Sequence, residues 1–266
     1  MKMLIVLLMV LLLTLTVVTA KQDFSDTELP KNAVKLKHGV FKLGNAVDID
    51  GKIVEGYAFI KYEDGYKQKN ADFFAITNLT PEYCYGFMGA KWTTTENYII
   101  NPTNKWGLDK TQVSSHFVGD TSTWETSVVS NKNLIGTGAT TSKKLLADTV
   151  RPDGKNEVYF GSIKDAGAIA ITIVWATRFD VNNLGQIVEW DQVYDQIDFG
   201  WSLTGAAGKM DFDNIATHEL GHTLGMDDLY DLVCSDQTMY GYANYGEIIK
   251  RTLEVGDIKG INILYP

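Results

Sequence analysis

Residues 218 to 228 read His218-Glu219-Leu220-Gly221-His222-Thr223-Leu224-Gly225-Met226-Asp227-Asp228, and Asp211, Asp213, Ile215 and Ala216 lead into them. The two aspartates are candidate helix caps and Ile215 and Ala216 begin an apolar face, so the spacing predicts a helix through both histidines. Helical side chains four positions apart stand one above the other, which lets both imidazoles reach a single ion with Glu219 beside the first. Two histidines so spaced, with an adjacent glutamate, form a zinc-binding pattern that carries its own general base. Chance could set these residues together. Against chance, the chain has four histidines in all, and the other two, His38 and His116, have no comparable neighbours. His116 reads as a surface histidine.

A catalytic zinc takes three protein ligands and keeps a further position open. Gly225, just past His222, predicts a left-handed turn that ends the helix and folds the chain back on itself. That reversal carries Asp228 toward the metal, with Asp227 and Asp231 as rival ligands.

These residues resemble the metzincins, zinc metallopeptidases with the pattern His-Glu-x-x-His-x-x-Gly-x-x-His. The last position here holds Asp228, as in the snapalysin-like metzincins. Ser235-Asp236-Gln237-Thr238-Met239-Tyr240-Gly241 is similar to the metzincin Met-turn, with Met239 beneath the metal, and Leu253 to Tyr265 resembles the closing helix of matrixins. The resemblance spans about residues 90 to 266. It implies an α/β (α+β) fold in which a mixed twisted sheet lies above the active-site helix, one catalytic Zn2+ held by His218, His222 and Asp228, and protein or peptide substrates. Zinc-activated water would cleave the peptide bond, with Glu219 as general base.

Tyr240, Tyr242 and Tyr245 follow the turn where such enzymes shape their main specificity pocket. Gly241 stands where some metzincins carry an oxyanion-assisting tyrosine, so no such role is assigned. By resemblance, Ala168 to Ala176 is a sheet edge that receives an extended peptide; its almost unbroken apolar character equally fits a buried central strand. Calcium is common among these relatives, but no loop here has matching ligand spacing. Two other readings share the motif: a non-catalytic zinc-containing surface or adhesion module, and a different zinc hydrolase such as an amidase. A purely structural zinc would have no need of Glu219.

The rest of the chain is consistent with secretion. Lys2, an apolar run from Leu4 to Leu13, and small Val18 and Ala20 form a signal peptide over residues 1 to 20; the rival is an uncleaved membrane anchor. A formal charge of -9 disfavours nucleic acid. A monomer is expected. Asn78-Leu79-Thr80 is a glycosylation acceptor pattern. Residues 21 to 83 read as a small antiparallel β-rich segment, a removable propeptide or an accessory domain, with alternation at Val34 to Lys37 and Ile53 to Ile60 and turns at Asp50-Gly51 and Asp64-Gly65. Lysines 31, 35, 37 and 42 make a basic patch or simply a solvated strand face.

Residues 84 to 266 read as the peptidase domain: a strand at Tyr98 to Ile100, a helix capped by Asp109 with Val113, Phe117 and Trp124 on one face, three strands, and the histidine helix. Cys84 and Cys234, in a chain sent to an oxidising compartment, point to one disulfide. Matrixin propeptides instead hold a zinc-binding cysteine at about the place of Cys84. Pro81-Glu82-Tyr83-Cys84-Tyr85-Gly86 lacks the arginine before and the glycine directly after that cysteine, which favours the disulfide.

Overall fold

Strands follow the alternation and the apolar runs. β1 (Asp26–Thr27), β2 (Val34–Lys37), β3 (Val40–Val47) and β4 (Ile53–Glu63) open the chain, and β2, β3 and β4 form an antiparallel meander. The β3–β4 turn passes through Gly51 at φ +84°, a conformation that favours glycine. Next come β5 (Ala90–Lys91), β6 (Glu96–Asn101), α1 (Lys110–Glu125), β7 (Ile135–Thr140), β8 (Asn156–Ile163), β9 (Ala168–Thr177) and β10 (Gly185–Asp195). β11 (Trp201–Ser202), β12 (Met210–Asp211), α2 (Phe212–Thr223), β13 (Tyr242–Ala243) and α3 (Val255–Leu264) complete it. The computed structural model describes residues 25–66, 79–130, 132–178 and 183–266; the expected signal segment, Asn78 of the acceptor pattern and Asn182, which with Asn183 and Gly185 reads in the sequence as a turn before β10, lie outside them.

One mixed sheet runs in the order β2-β3-β4-β9-β10-β8-β6-β7. β7, β6, β8 and β10 are mutually parallel, whereas β9 runs antiparallel to β10 on one side and to β4 on the other. β9 is therefore central, and its apolar run Ala168-Ile-Ala-Ile-Thr-Ile-Val-Trp-Ala176 is buried on both faces. The edge reading of this strand does not describe this arrangement, because β4 pairs along it from Val54 opposite Thr177 to Tyr62 opposite Ala168.

No apolar alternation marks β7 in advance. Ile135-Gly-Thr-Gly-Ala-Thr140 alternates small and polar groups, and Gly138 is there because a β-carbon would overlap the Tyr98 ring.

The helices share one face of the sheet. α1 is capped by the Asp109 side chain accepting from Gln112 N, and it turns Val113, Phe117 and Trp124 into the core. Gly119 lies on its open side. Between α1, α2 and the sheet pack Phe160, Trp190, Tyr194, Trp201 and Phe212, the main apolar cluster. Three polar links fix α1 against α2, one of them Thr217 Oγ1 donating to Asp120 Oδ1 at 3.1 Å. Trp124 Nε1 donates to the Thr217 carbonyl at 2.7 Å, and His116 Nδ1 meets the Asp213 carboxylate at 2.9 Å. His116, expected as a plain surface residue, thus ties two helices together. A second cluster, with Tyr159, Ile171, Trp175 and Tyr240, fills the other face.

Candidate metal centre

α2 begins at Asp211, whose side chain accepts from Asn214 N, while Asp213 lies in the first turn. Its end is a two-bond glycine cap. Gly225 N donates to the His222 carbonyl and Met226 N to the Gly221 carbonyl, both at 2.9 Å, with Gly225 at φ +96°. A side chain there is doubly excluded, because a β-carbon would strike the Ala90 carbonyl. The expected reversal is present, and it returns the chain so that Asp228 faces both histidines.

The three side chains meet in a buried pocket. His218 Nε2 and His222 Nε2 are 3.1 Å apart, and Asp228 Oδ1 lies 3.2 Å from the first and 3.5 Å from the second. Both histidine side chains and that of Asp228 are 0 % exposed. The other ring nitrogens are already committed: His218 Nδ1 is 2.7 Å from the Thr238 carbonyl and His222 Nδ1 is 3.0 Å from the Met226 carbonyl. Carbonyls only accept, so a ring whose Nδ1 donates to one can turn its Nε2 lone pair to a metal. Asp228 Oδ1 has no hydrogen-bond partner. Three such atoms crowded together repel one another when unprotonated, and a cation among them removes the repulsion. Tetrahedral bonds of about 2.0–2.1 Å would space ligand atoms about 3.3 Å apart, so the set fits zinc. Asp227, the nearer rival, is instead engaged by Lys37 in an ion pair, and Asp231 caps the short helical turn Leu232–Cys234.

Titration follows the same crowding. Burial pushes the Asp228 carboxyl up, but the His222 and His218 rings beside it, when protonated, pull it well below its usual range. Burial pulls His222 down, and the Asp228 charge overrides this and raises it. His218, buried and then facing the Lys61 charge, falls to about 3. Glu219, 0 % exposed, is pushed up to about 7, chiefly by burial. Its Oε2 accepts from Thr172 Oγ1 at 2.5 Å, and its Oε1 has no hydrogen-bond partner.

Met239 is fully buried beneath α2, and a β-carbon on Gly221 would collide with its sulfur. The turn that carries it is held by Asp257, which accepts from Thr238 N at 2.8 Å and Met239 N at 3.1 Å. Tyr240 and Tyr242 are buried and Tyr245 is exposed beyond them. A disulfide joins Cys84 to Cys234 with a Cα–Cα distance of 5.5 Å, the bridge expected from the cysteine count. Among the described residues one further acidic group, Asp148, Asp153 and Glu189, gathers its oxygens within 4.8 Å.

Several neighbours were not legible in the sequence. Thr172 on β9 holds Glu219. Phe59 on β4 stacks on His222 with ring centres 4.4 Å apart, and Lys61 Nζ lies 2.9 Å from His218 Nδ1 while donating to the Tyr240 carbonyl at 2.6 Å. The lysine left a faint trace, a lone cation inside the run Tyr57-Ala-Phe-Ile-Lys61.

The matrixin family model matches residues 109–266, more than half of the chain and the whole of the centre just described. The chain belongs to the matrixin family and is a zinc metalloprotease, a hydrolase. Among solved structures it is similar to metalloproteinase-II from Bacteroides fragilis, at 11% sequence identity and a TM-score of 0.35, covering 85% of this chain and 75% of that one. No curated protein matches it. No helix among the described residues is long and apolar enough to cross a membrane.

Proposed function

We propose that the chain is a secreted, monomeric endopeptidase in which His218, His222 and Asp228 hold one catalytic zinc and Glu219 is the general base. Residues 1 to 20 are its signal peptide, 21 to 83 an N-terminal segment, and 84 to 266 the catalytic unit. The observation that supports the ligand set is the convergence of two Nε2 lone pairs and an unbonded carboxylate oxygen within 3.5 Å of one another.

Zinc, when bound, supplies Lewis acidity that polarises a scissile carbonyl and acidifies water. The chain's residues do the rest. Glu219, raised to about 7, is basic enough to take a proton on Oε1 from the attacking water and acidic enough to deliver it to the leaving amine near neutral pH. Thr172 orients this carboxylate through Oε2. The Thr238 and Met226 carbonyls fix both histidine rings in the ligand tautomer. Asp228 contributes a full negative charge where a third imidazole would contribute none, which lowers the electrophilicity of the centre.

Metal analysis together with casein digestion tests this. Glu219→Ala should keep its zinc and fold while turnover falls about 100-fold or more relative to the parent chain. Near-parental proteolysis by zinc-loaded Glu219→Ala would remove the mechanism.

A further inference from the structure

Among the described residues five buried side-chain atoms lack a hydrogen-bond partner: Asp120 Oδ2, Glu189 Oε1, Gln192 Nε2, Glu219 Oε1 and Asp228 Oδ1. Four are carboxylate oxygens, which can take a proton or face a cation. Gln192 Nε2 is the one donor, on a side chain 0 % exposed within β10. A buried amide without an acceptor costs stability that an apolar side chain of the same size would not. Folded chains keep such exceptions to polar satisfaction chiefly where they act.

Strand pairing places this amide behind Glu219. Gln192 lies opposite Thr172 in the antiparallel β9–β10 ladder. Trp190 and Tyr194, two positions to either side, belong to the apolar cluster beneath the helices, so alternation turns Gln192 to that face as well. Thr172 takes the same face, since its hydroxyl donates to Glu219 Oε2. Opposed residues in such a ladder carry their β-carbons about 4.5–5.5 Å apart, so amide and hydroxyl share one space under α2. From the far side Tyr194 OH donates to Gln192 Oε1 at 2.7 Å. Burial, then the Glu219 and Asp120 charges, hold the Tyr194 phenol well above its usual range, so it keeps the proton that it donates. With Oε1 occupied, the amide has its N–H groups left to offer.

The Thr172 hydroxyl is a rotor with two acceptors in reach, Glu219 Oε2 at 2.5 Å and the Glu219 main-chain carbonyl at 3.5 Å. Only the first orients the general base. A hydroxyl that accepts a hydrogen bond aims its own proton away from the donor, so an amide giving to Thr172 Oγ1 from the β10 side keeps that proton on Oε2. We propose that Gln192 is a positioning residue for Glu219, acting through Thr172: Nε2 donates to Thr172 Oγ1 and completes a row, Tyr194 to Gln192 to Thr172 to Glu219, in which every proton points toward the general base. Oε1 is thereby left to exchange a proton with water and leaving amine. This rests on the peptidase reading given above. The link from Nε2 to Oγ1 is the one member of the row that is open in this structure, and rotation of the Gln192 side chain about its own bonds closes it.

The test uses the full zinc-loaded chain, casein as substrate, and Gln192→Met, which keeps the volume and loses the amide. Its kcat should fall about tenfold with KM within about twofold and zinc content unchanged, the signature of a contact made only in the transition state. In a Thr172→Val background the same substitution should cost nothing further, whereas in Thr172→Ser, which restores a hydroxyl, it should again cost about tenfold. A second readout needs no activity. In the metal-free chain labelled with nitrogen-15 glutamine, Thr172→Val should move the side-chain amide signal that Gln192→Met deletes. If Gln192→Met does not fold, Tyr194→Phe takes its place, because it releases the amide from the phenol, and kcat should fall about threefold or more.

An unchanged kcat, an equal further loss in the Thr172→Val background, or activity lost in step with zinc overturns the proposal, and so does an amide signal indifferent to Thr172→Val. A parent chain that binds zinc and digests nothing, while the amide signal still answers to Thr172→Val, removes the peptidase reading instead and leaves the row of hydrogen bonds in place.

Discussion

Gly221 stands between the two histidines on α2, and its replacement by alanine sets two known effects against each other. Alanine in a helix interior is favoured over glycine by about 1 kcal/mol. The added methyl, however, would overlap the Met239 sulfur and stand 2.8 Å from a Trp124 ring carbon and 3.0 Å from Met239 Cε. Neither neighbour retreats easily. Trp124 is held by its bond to the Thr217 carbonyl, and the backbone of Met239 by Asp257. Overpacking a tight core costs about 1–3 kcal/mol, and with both neighbours held the cost falls toward the upper end, so after the alanine gain Gly221→Ala should destabilise by up to about 2 kcal/mol. Met239→Ala alone should cost about 2–5 kcal/mol by opening a cavity. Together they should cost less than the sum by about 2 kcal/mol, because the new methyl enters the space the methionine leaves. Urea denaturation of the metal-free chain with its disulfide intact measures all three. Gly221→Ala also moves α2 against the turn that orients His218, so competition with a chromophoric chelator should show zinc affinity reduced about tenfold. A stabilised Gly221→Ala, or strict additivity in the pair, would refute the claim that this glycine exists to admit Met239.

Asp228→Ala should lose zinc while Asp227→Ala and Asp231→Ala keep it by metal analysis; the reverse pattern would reassign the ligand. Removing the Cys84–Cys234 bridge by paired alanine substitution should lower stability by about 5 kcal/mol in the chain-entropy model for a separation of 150 residues, and unreduced mass spectrometry should find no free thiol. Glu189 is pushed from 4.5 to about 8, chiefly by burial and further by Asp148 and Asp153 against the bond from Gly154 N. Because the folded chain then holds a proton that the unfolded chain releases, stability falls as pH rises between these values, and Glu189→Gln should flatten the decline of Tm from pH 5 to 8; parallel Tm profiles would show that this carboxyl does not drive it.

The gathering of His218, His222 and Asp228 was legible because its requirements are local. Helical spacing sets His218 and His222 together, a glycine that only a positive φ explains ends the helix, and Asp228 follows within reach of the turn. The cap at Asp109, the face Val113-Phe117-Trp124 and the strands of the catalytic part are likewise properties of short windows. What the sequence could not carry was pairing across long separations. Nothing in Ile53 to Glu63 says that its partner is Ala168 to Thr177, since main-chain ladders accept any extended sequence. Thr172, Phe59, Lys61 and Asp257 take their roles from such pairings and from packing. β7 escaped because it alternates small and polar residues, with Gly138 leaving room for the Tyr98 ring.

The place of β4 in the middle of the sheet also sets an order on biosynthesis. Ile60 pairs with Ile171, which is made more than a hundred residues later. At about 5–20 residues per second the apolar strand waits roughly 5–20 s for this partner, with β3 on one edge and the edge meant for β9 open to any other chain that offers a strand. The newborn N-terminus is thus the part of this molecule most exposed to aggregation, and a chaperone that shields a single extended strand would protect it.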